Sequence, residues 1–279
     1  MLKKLIKKTG LLNYINFTKL IKINNQKIKI PVILGLSFNF TENWLINLLS
    51  HILRENNGAF IDIGVNLGQT LIKVKGIESR RKYIGFEPNS TCIFYVKELI
   101  NTNQFTDCTI IPVGLFTENN VLSLECINDS EVDSAASLVK NFRSNSKIYH
   151  KILVPVFSFQ SINNILNIDK IGIIKIDVEG SELEVVKTLY SILNNQRPIV
   201  LLEILPIYSN QNIFRKKRQE ELEKIFEELD YCFFRVEKSD KDAFIGLIKI
   251  KTIGIHSNLN ECDYVVVPNE SVEKIQNLL

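Results

Sequence analysis

Phe60 to Thr70 reads FIDIGVNLGQT, with Asp62, Gly64, Asn66 and Gly68 spaced two apart behind an apolar run. A carboxylate closing a strand, followed by glycines at the turn into a helix, lets main chain approach a ligand. It also aims the first helical N–H groups at that ligand. The pattern is D-x-G-x-x-x-G, because residue 66 is Asn, so the G-x-G-x-x-G turn that cradles a dinucleotide pyrophosphate is disfavoured. A carboxylate at the turn suits a cationic group instead. Glycines serving only a tight turn are the plain alternative.

Two later stretches bear on the same chemistry. YIGFEP places Glu87 at a strand end 25 residues after Asp62, close to the ~20-residue offset at which an acidic residue meets ribose hydroxyls. A cationic ligand that also carries a ribose points to S-adenosylmethionine, with a solvated strand-end glutamate as the alternative. IGIIKIDVEGSELEVVKTL places Lys175 and Asp177 on one strand face, with Glu179 just beyond. This is the carboxyl edge, where parallel sheets bind ligands. Lys175 needs a partner, Asp62 or Asp177, and a purely structural ion pair would also satisfy it. Ser181 and Glu184 have capping-box spacing. Glu203 ends PIVLLEI as a further edge candidate.

The elements needed to position these groups follow in order. Residues 18–36 alternate around Asn24-Asn25 and read as a strand pair. Thr41 to Leu53 has helical spacing, with Thr41 as the expected cap. Strands are expected at 59–63, 83–87, 109–113, 171–177 and 199–204, separated by helices. Near-continuous apolar strands alternating with helices predict an α/β fold with a parallel sheet covered on both faces. VLSLECI and KILVPVF read as an inserted hairpin, and strands at 231–237 and 263–268 close the sheet with an antiparallel pair.

Composition narrows the partners. The 279 residues are 45% hydrophobic with a net charge of +3, ordinary for a globular chain and too weakly basic to imply nucleic acid. Five cysteines without a C-x-x-C pair suggest neither a zinc cluster nor a disulfide framework, and free thiols suit a cytoplasmic setting. MLKKLIKKTGLL contains no signal-peptide core. Its Leu2, Leu5, Ile6 and Leu12 would either pack on the domain or give weak contact with a membrane surface. Arg80-Arg81-Lys82 and Arg215-Lys216-Lys217-Arg218 read as solvated surface, and His51 as packing.

FIDIGVNLGQT, YIGFEPN, IGIIKIDVEGSELEVVKTL and RPIVLLEI together resemble the FkbM family of S-adenosylmethionine-dependent methyltransferases, over about Trp44 to Glu203, with DYVVVP similar to its closing strand. The resemblance implies a class I methyltransferase Rossmann-like fold with a mostly parallel seven-stranded sheet. Residues 1–50 would form an N-terminal extension and 51–279 the methyltransferase domain, with an insertion at about 114–160. It further implies that Asp62, Gly64, Asn66 and Gly68 hold the methionine part of S-adenosylmethionine and Glu87 its ribose. The acceptor would be a hydroxyl of a sugar, glycan or other small molecule. Val65 replaces the family's usual alanine, and Gln160 stands where an acidic residue is usual. Asp177 or Glu179 is the expected general base, with His256 behind them, and no metal is expected. A non-catalytic nucleotide-binding protein and a methyltransferase of RNA or protein are the rival readings.

Overall fold

The computed structural model describes residues 15–143, 146–166 and 168–276. The basic stretch with Leu2, Leu5, Ile6 and Leu12 lies outside them. Strands β1 (Phe17–Ile23) and β2 (Gln26–Val32) pair antiparallel around Asn24-Asn25, with Ile23 opposite Gln26. Helix α1 (Asn43–Glu55) follows. Its N-cap is Glu42 rather than Thr41, and the Glu42 side chain makes no capping bond. Asp242 performs that task from a distance, its carboxylate accepting from Asn43 N at 2.8 Å.

The alternation then begins with β3 (Ala59–Ile63), α2 (Gln69–Ile77), β4 (Tyr83–Phe86), α3 (Ser90–Asn103) and β5 (Cys108–Ile111). Strands β6 (Gly114–Leu115), β7 (Asn120–Cys126) and β8 (His150–Phe157) form a separate three-stranded sheet in the order β6-β8-β7. The expected hairpin is thus β7 and β8, paired antiparallel from Asn120↔Val156 to Cys126↔His150. Helix α4 (Phe159–Leu166), β9 (Ile171–Ile176), α5 (Glu182–Gln196), β10 (Ile199–Glu203) and α6 (Ile213–Glu228) resume the alternation. Strands β11 (Tyr231–Lys238), β12 (Phe244–Ile250) and β13 (Asp263–Pro268) and helix α7 (Val272–Gln276) finish it.

The main sheet has eight strands in the order β12-β11-β13-β10-β9-β3-β4-β5. Strands β10, β9, β3, β4 and β5 run parallel, while β13 is antiparallel to both β10 and β11. The expected seven-stranded sheet is therefore corrected to a mixed eight-stranded one. The extra strand, β12, lies antiparallel on β11 at the edge. Its FIGLIKI run exposes Ile245 and Ile248, so it lacks the continuous apolar burial that marks the central strands.

Each sheet face has its own core. Phe60, Ile173, Leu201, Phe234 and Val265 pack with α1, α2, α3 and the β1–β2 pair. Ile61, Ile174, Val200, Phe233 and Val266 pack with α4, α5 and α6. Alternate strand residues serve opposite cores, as the two-residue period demands. Ile23, Ile28 and Ile30 are buried in the first core, which fastens β1–β2 to the sheet. One arginine of each basic cluster turns inward, while Arg80, Lys82 and Lys217 are exposed as expected. Arg81 is buried and donates to the carbonyls of Leu53, Asn56 and Gly58 and to Glu78. Arg215 lies over the Phe142 ring and donates to the carbonyls of Phe142 and Pro206. A guanidinium whose donors meet carbonyls, and for Arg81 a carboxylate, can leave water. His51, in contrast, is exposed.

Candidate active site

The loops after β3, β4, β9 and β10 meet at the carboxyl edge of the sheet and enclose a cleft of about 220 Å³. After β3, Gly64 has φ 92°, Asn66 φ 49° and Gly68 φ 87°, left-handed conformations that glycine and, next best, asparagine accept. Gly64 N donates to Phe86 O at 3.0 Å and Gly68 N to Val65 O at 2.9 Å, closing the turn into α2. A Cβ on Gly64 would lie 1.8 Å from the Asp177 carbonyl oxygen. The glycine is required because two loops touch there through main chain. Gly85, below, leaves room for the Val65 side chain.

Glu87 follows β4 with 7% exposure. Its two carboxylate oxygens each accept one backbone N–H, Oε2 from Asn66 and Oε1 from Asn89, both at 2.8 Å. This fixes the carboxylate between the two turns and leaves each oxygen able to accept once more. Burial pushes the group up to about 7, with the two N–H donors opposing. Asn89 also caps α3, its side chain accepting from Thr91 N.

Behind the turn, Asp62 is fully buried. One oxygen accepts from the Tyr83 hydroxyl, and Oδ1 has no partner among the described residues. Burial raises its carboxyl to about 6, while Lys175 and Tyr83 pull the other way. Lys175, opposite Asp62 in the register of β3 and β9, resolves its choice of partner with an Nζ–Asp177 Oδ2 contact of 2.7 Å. Burial works against the lysine's charge, yet Asp177, Asp62 and Glu42 together push its pKa above the ordinary value.

Glu179, with φ 54°, pairs with Arg143. Burial, then the Asp177 charge, raises it to about 8, and Arg143 opposes both. Glu203 is raised well above its ordinary value by Asp177 first, then by burial and Asp263. The expected capping box is not formed. Ser181 makes no capping bond and Glu184 pairs with Arg218. Glu182 replaces them, Oε1 accepting from Gly180 N at 2.8 Å.

Of the eight candidates, Gly64, Asn66, Glu87, Asp177 and Glu179 line the cleft. Asp62 and Gly68 lie beneath the turn without reaching its wall. His256 is placed elsewhere, with Nε2 3.2 Å from the Tyr264 hydroxyl. Thr41, Glu42, Gln69, Asp133 and Ser134 also line the wall. Asp133 is spent on its own loop, accepting from Ile127, Asn128 and Ala135 N. Glu42 had one detectable signal, a lysine at 73 inside the apolar helix TLIKVKG, which required a buried anion. Gln160 bonds Thr188 on α5 rather than facing the cleft.

Among the described residues, six carboxyl side chains, Glu42, Glu87, Asp133, Asp177, Glu179 and Glu203, line the cleft with Lys175 as the one lining base. A cation is favoured there and a phosphate opposed. Among the described residues no group of three or more His, Cys, Asp or Glu side chains could hold a metal ion. No described helix is long and apolar enough to cross a membrane.

A family model described as "Methyltransferase FkbM domain" matches residues 62–236. The chain belongs to the FkbM methyltransferase family. No curated protein matches it. An FkbM methyltransferase from Methylobacillus flagellatus KT is similar in fold at 15% identity and TM-score 0.44, over 75% of this chain and 43% of that one. This chain therefore spans less than half the length of that relative. A precorrin-6y C5,15-methyltransferase from Geobacter metallireducens GS-15 gives 9% and 0.40 over 81% and 86%. An O-methyltransferase from Bacillus cereus in complex with SAH gives 12% and 0.44 over 80% and 79%. The family match itself begins at Asp62, so Thr41 and Glu42 enter the cleft from outside it.

Proposed function

We propose that this FkbM-family chain binds S-adenosylmethionine in the cleft at the carboxyl edge and transfers its methyl group to a hydroxyl of an uncharged sugar, glycan or other small molecule. The observation that carries the reading is the convergence of the Gly64–Asn66 turn, Glu87 and Asp177 on one acidic cleft. The residues fit the cofactor on three counts. Asp62 keeps a buried oxygen without a partner among the described residues, Gly64 leaves main chain bare at the turn, and Glu87 is fixed with spare acceptor capacity for two ribose hydroxyls.

When bound, S-adenosylmethionine supplies an electrophilic methyl on a positively charged sulfur. Gly64 and Asn66 would hold the methionine end and Glu87 the ribose, with Asp62 behind the turn rather than in contact. The chain's remaining task is to orient an acceptor oxygen and remove its proton, since alignment at about 3 Å supplies much of the acceleration. Glu179 suits the proton transfer best. Each carboxylate commits one oxygen to a cation, Glu179 Oε2 to Arg143 and Asp177 Oδ2 to Lys175, but the Glu179 carboxyl, raised to about 8, matches a base working near neutrality. His256 lines no part of the cleft and is not proposed as a base.

The carboxylates that welcome a sulfonium also oppose a phosphodiester, which disfavours an RNA acceptor. Mass spectrometry of surface glycans from cells with and without the gene tests the acceptor. Loss of O-methyl groups is expected, and unchanged methylation overturns the glycan reading.

A further inference from the structure

The wall contributed by Thr41 and Glu42 lies outside the family match and has no role in the reading above. Glu42 sits at the N-cap of α1 with φ 57° and ψ 51°, a costly backbone for a residue with a Cβ. Its carboxylate does not cap the helix, because Asp242 already accepts from Asn43 N and Nδ2. Instead Oε2 takes the ammonium of Lys73, a side chain with 1% exposure, at 2.5 Å. Oε1 makes no hydrogen bond among the described residues, and the residue lines the cleft. Lys73 and Lys175 keep the carboxylate ionised against the effect of burial.

Position selects what it faces. Glu87 follows β4, on one flank of β3. Glu42 lies in the field of Lys175 on β9 and Lys238 on β11, beyond the other flank. If Glu87 holds ribose, the opposite end of the cleft takes the amino-acid end of the ligand. A zwitterion fits there, with its ammonium on a carboxylate and its own carboxylate near lysine.

We infer that Glu42, set by Lys73 and released from capping by Asp242, is a further ligand-binding residue that accepts the α-ammonium of S-adenosylmethionine. The inference rests on the proposed function, and three probes separate the two. S-Adenosylmethionine and S-adenosylhomocysteine carry the amino-acid end, while 5′-methylthioadenosine has the adenosine and sulfur without it.

Calorimetry on the full chain and on Glu42→Gln reads the result. A charge-assisted bond lost on ionic partners weakens both amino-acid-bearing ligands by about tenfold or more, with 5′-methylthioadenosine unchanged. Equal weakening of all three, or of none, assigns Glu42 a structural role and overturns the inference. Glu42→Asn, which suits the left-handed backbone, repeats the test should the glutamine variant fail to fold. A native chain that binds none of the probes overturns the proposed function and this inference with it.

Discussion

Replacing Gly64 by alanine tests whether two loops truly meet through main chain at the cleft floor. An alanine Cβ would lie 1.8 Å from the Asp177 carbonyl oxygen. To reach 3.0 Å, below which Cβ contacts are essentially never seen, that carbonyl must retreat by 3.0 − 1.8 = 1.2 Å. The Asp177 N–H bond to Ile63 O, 3.0 Å long, goes with it. Left-handed backbone for alanine costs about 1–2 kcal/mol, and the strand-end bond about 1 kcal/mol more. The sum of about 2–3 kcal/mol corresponds to a fall in Tm of roughly 4–12 °C for a chain of this size. A 1 Å misplacement at such a site can cost about 10²-fold in function. Gly68→Ala is the control. It has the same kind of backbone, φ 87°, but its nearest obstacle is Leu99 Cδ2, the end of a flexible side chain. Thermal melting and titration with S-adenosylmethionine on both variants give the readout. Gly64→Ala should lose binding and most of that Tm, while Gly68→Ala loses about 1–2 kcal/mol and keeps its affinity. A Gly64→Ala protein that melts within about 2 °C of the native one and binds normally would refute the reasoning.

Other expectations follow from the same geometry. Glu179→Gln should lower kcat by about 10²–10⁴ with cofactor affinity retained. The native rate should rise as pH passes about 8 and Glu179 loses its proton, a limb absent from the variant's profile. Arg81→Met leaves the Leu53, Asn56 and Gly58 carbonyls unpaired and should cost about 2–4 kcal/mol in denaturant unfolding. Glu182 is raised from 4.5 to about 7 by burial, with the Gly180 N–H opposing. The folded state therefore binds that proton more tightly than the unfolded one, so its contribution is complete below about pH 4.5 and lost as pH rises through about 7. Glu182→Gln, which can still accept from Gly180, should melt above the native protein at pH 8.5 and level with it at pH 4.5. Equal shifts at both values would exclude titration as the cause.

The central strands were legible because AFIDI and IGIIKI are buried along their whole length and IVLLE as far as Glu203, and a two-faced parallel sheet asks for that. The cleft's floor was legible for a related reason. Gly64, Asn66 and Asp177 act through local backbone, which sequence spacing records. Interactions satisfied at a distance left weaker marks. Arg81, Arg215 and Arg218 read as solvated because nothing local shows that carbonyls from other loops, or Glu184, will meet them. Glu42 reached the cleft through a lysine 31 residues away, and β12 escaped notice because an edge strand with an exposed face carries little apolar continuity.

What the cleft binds decides most directly what the protein does. Calorimetry of the native chain with S-adenosylmethionine, S-adenosylhomocysteine and NAD, repeated on Glu87→Ala, measures this. One S-adenosylmethionine and one S-adenosylhomocysteine should bind per chain, both weakened in Glu87→Ala, with NAD silent. NAD binding without S-adenosylmethionine binding, or S-adenosylmethionine binding indifferent to Glu87, would contradict it.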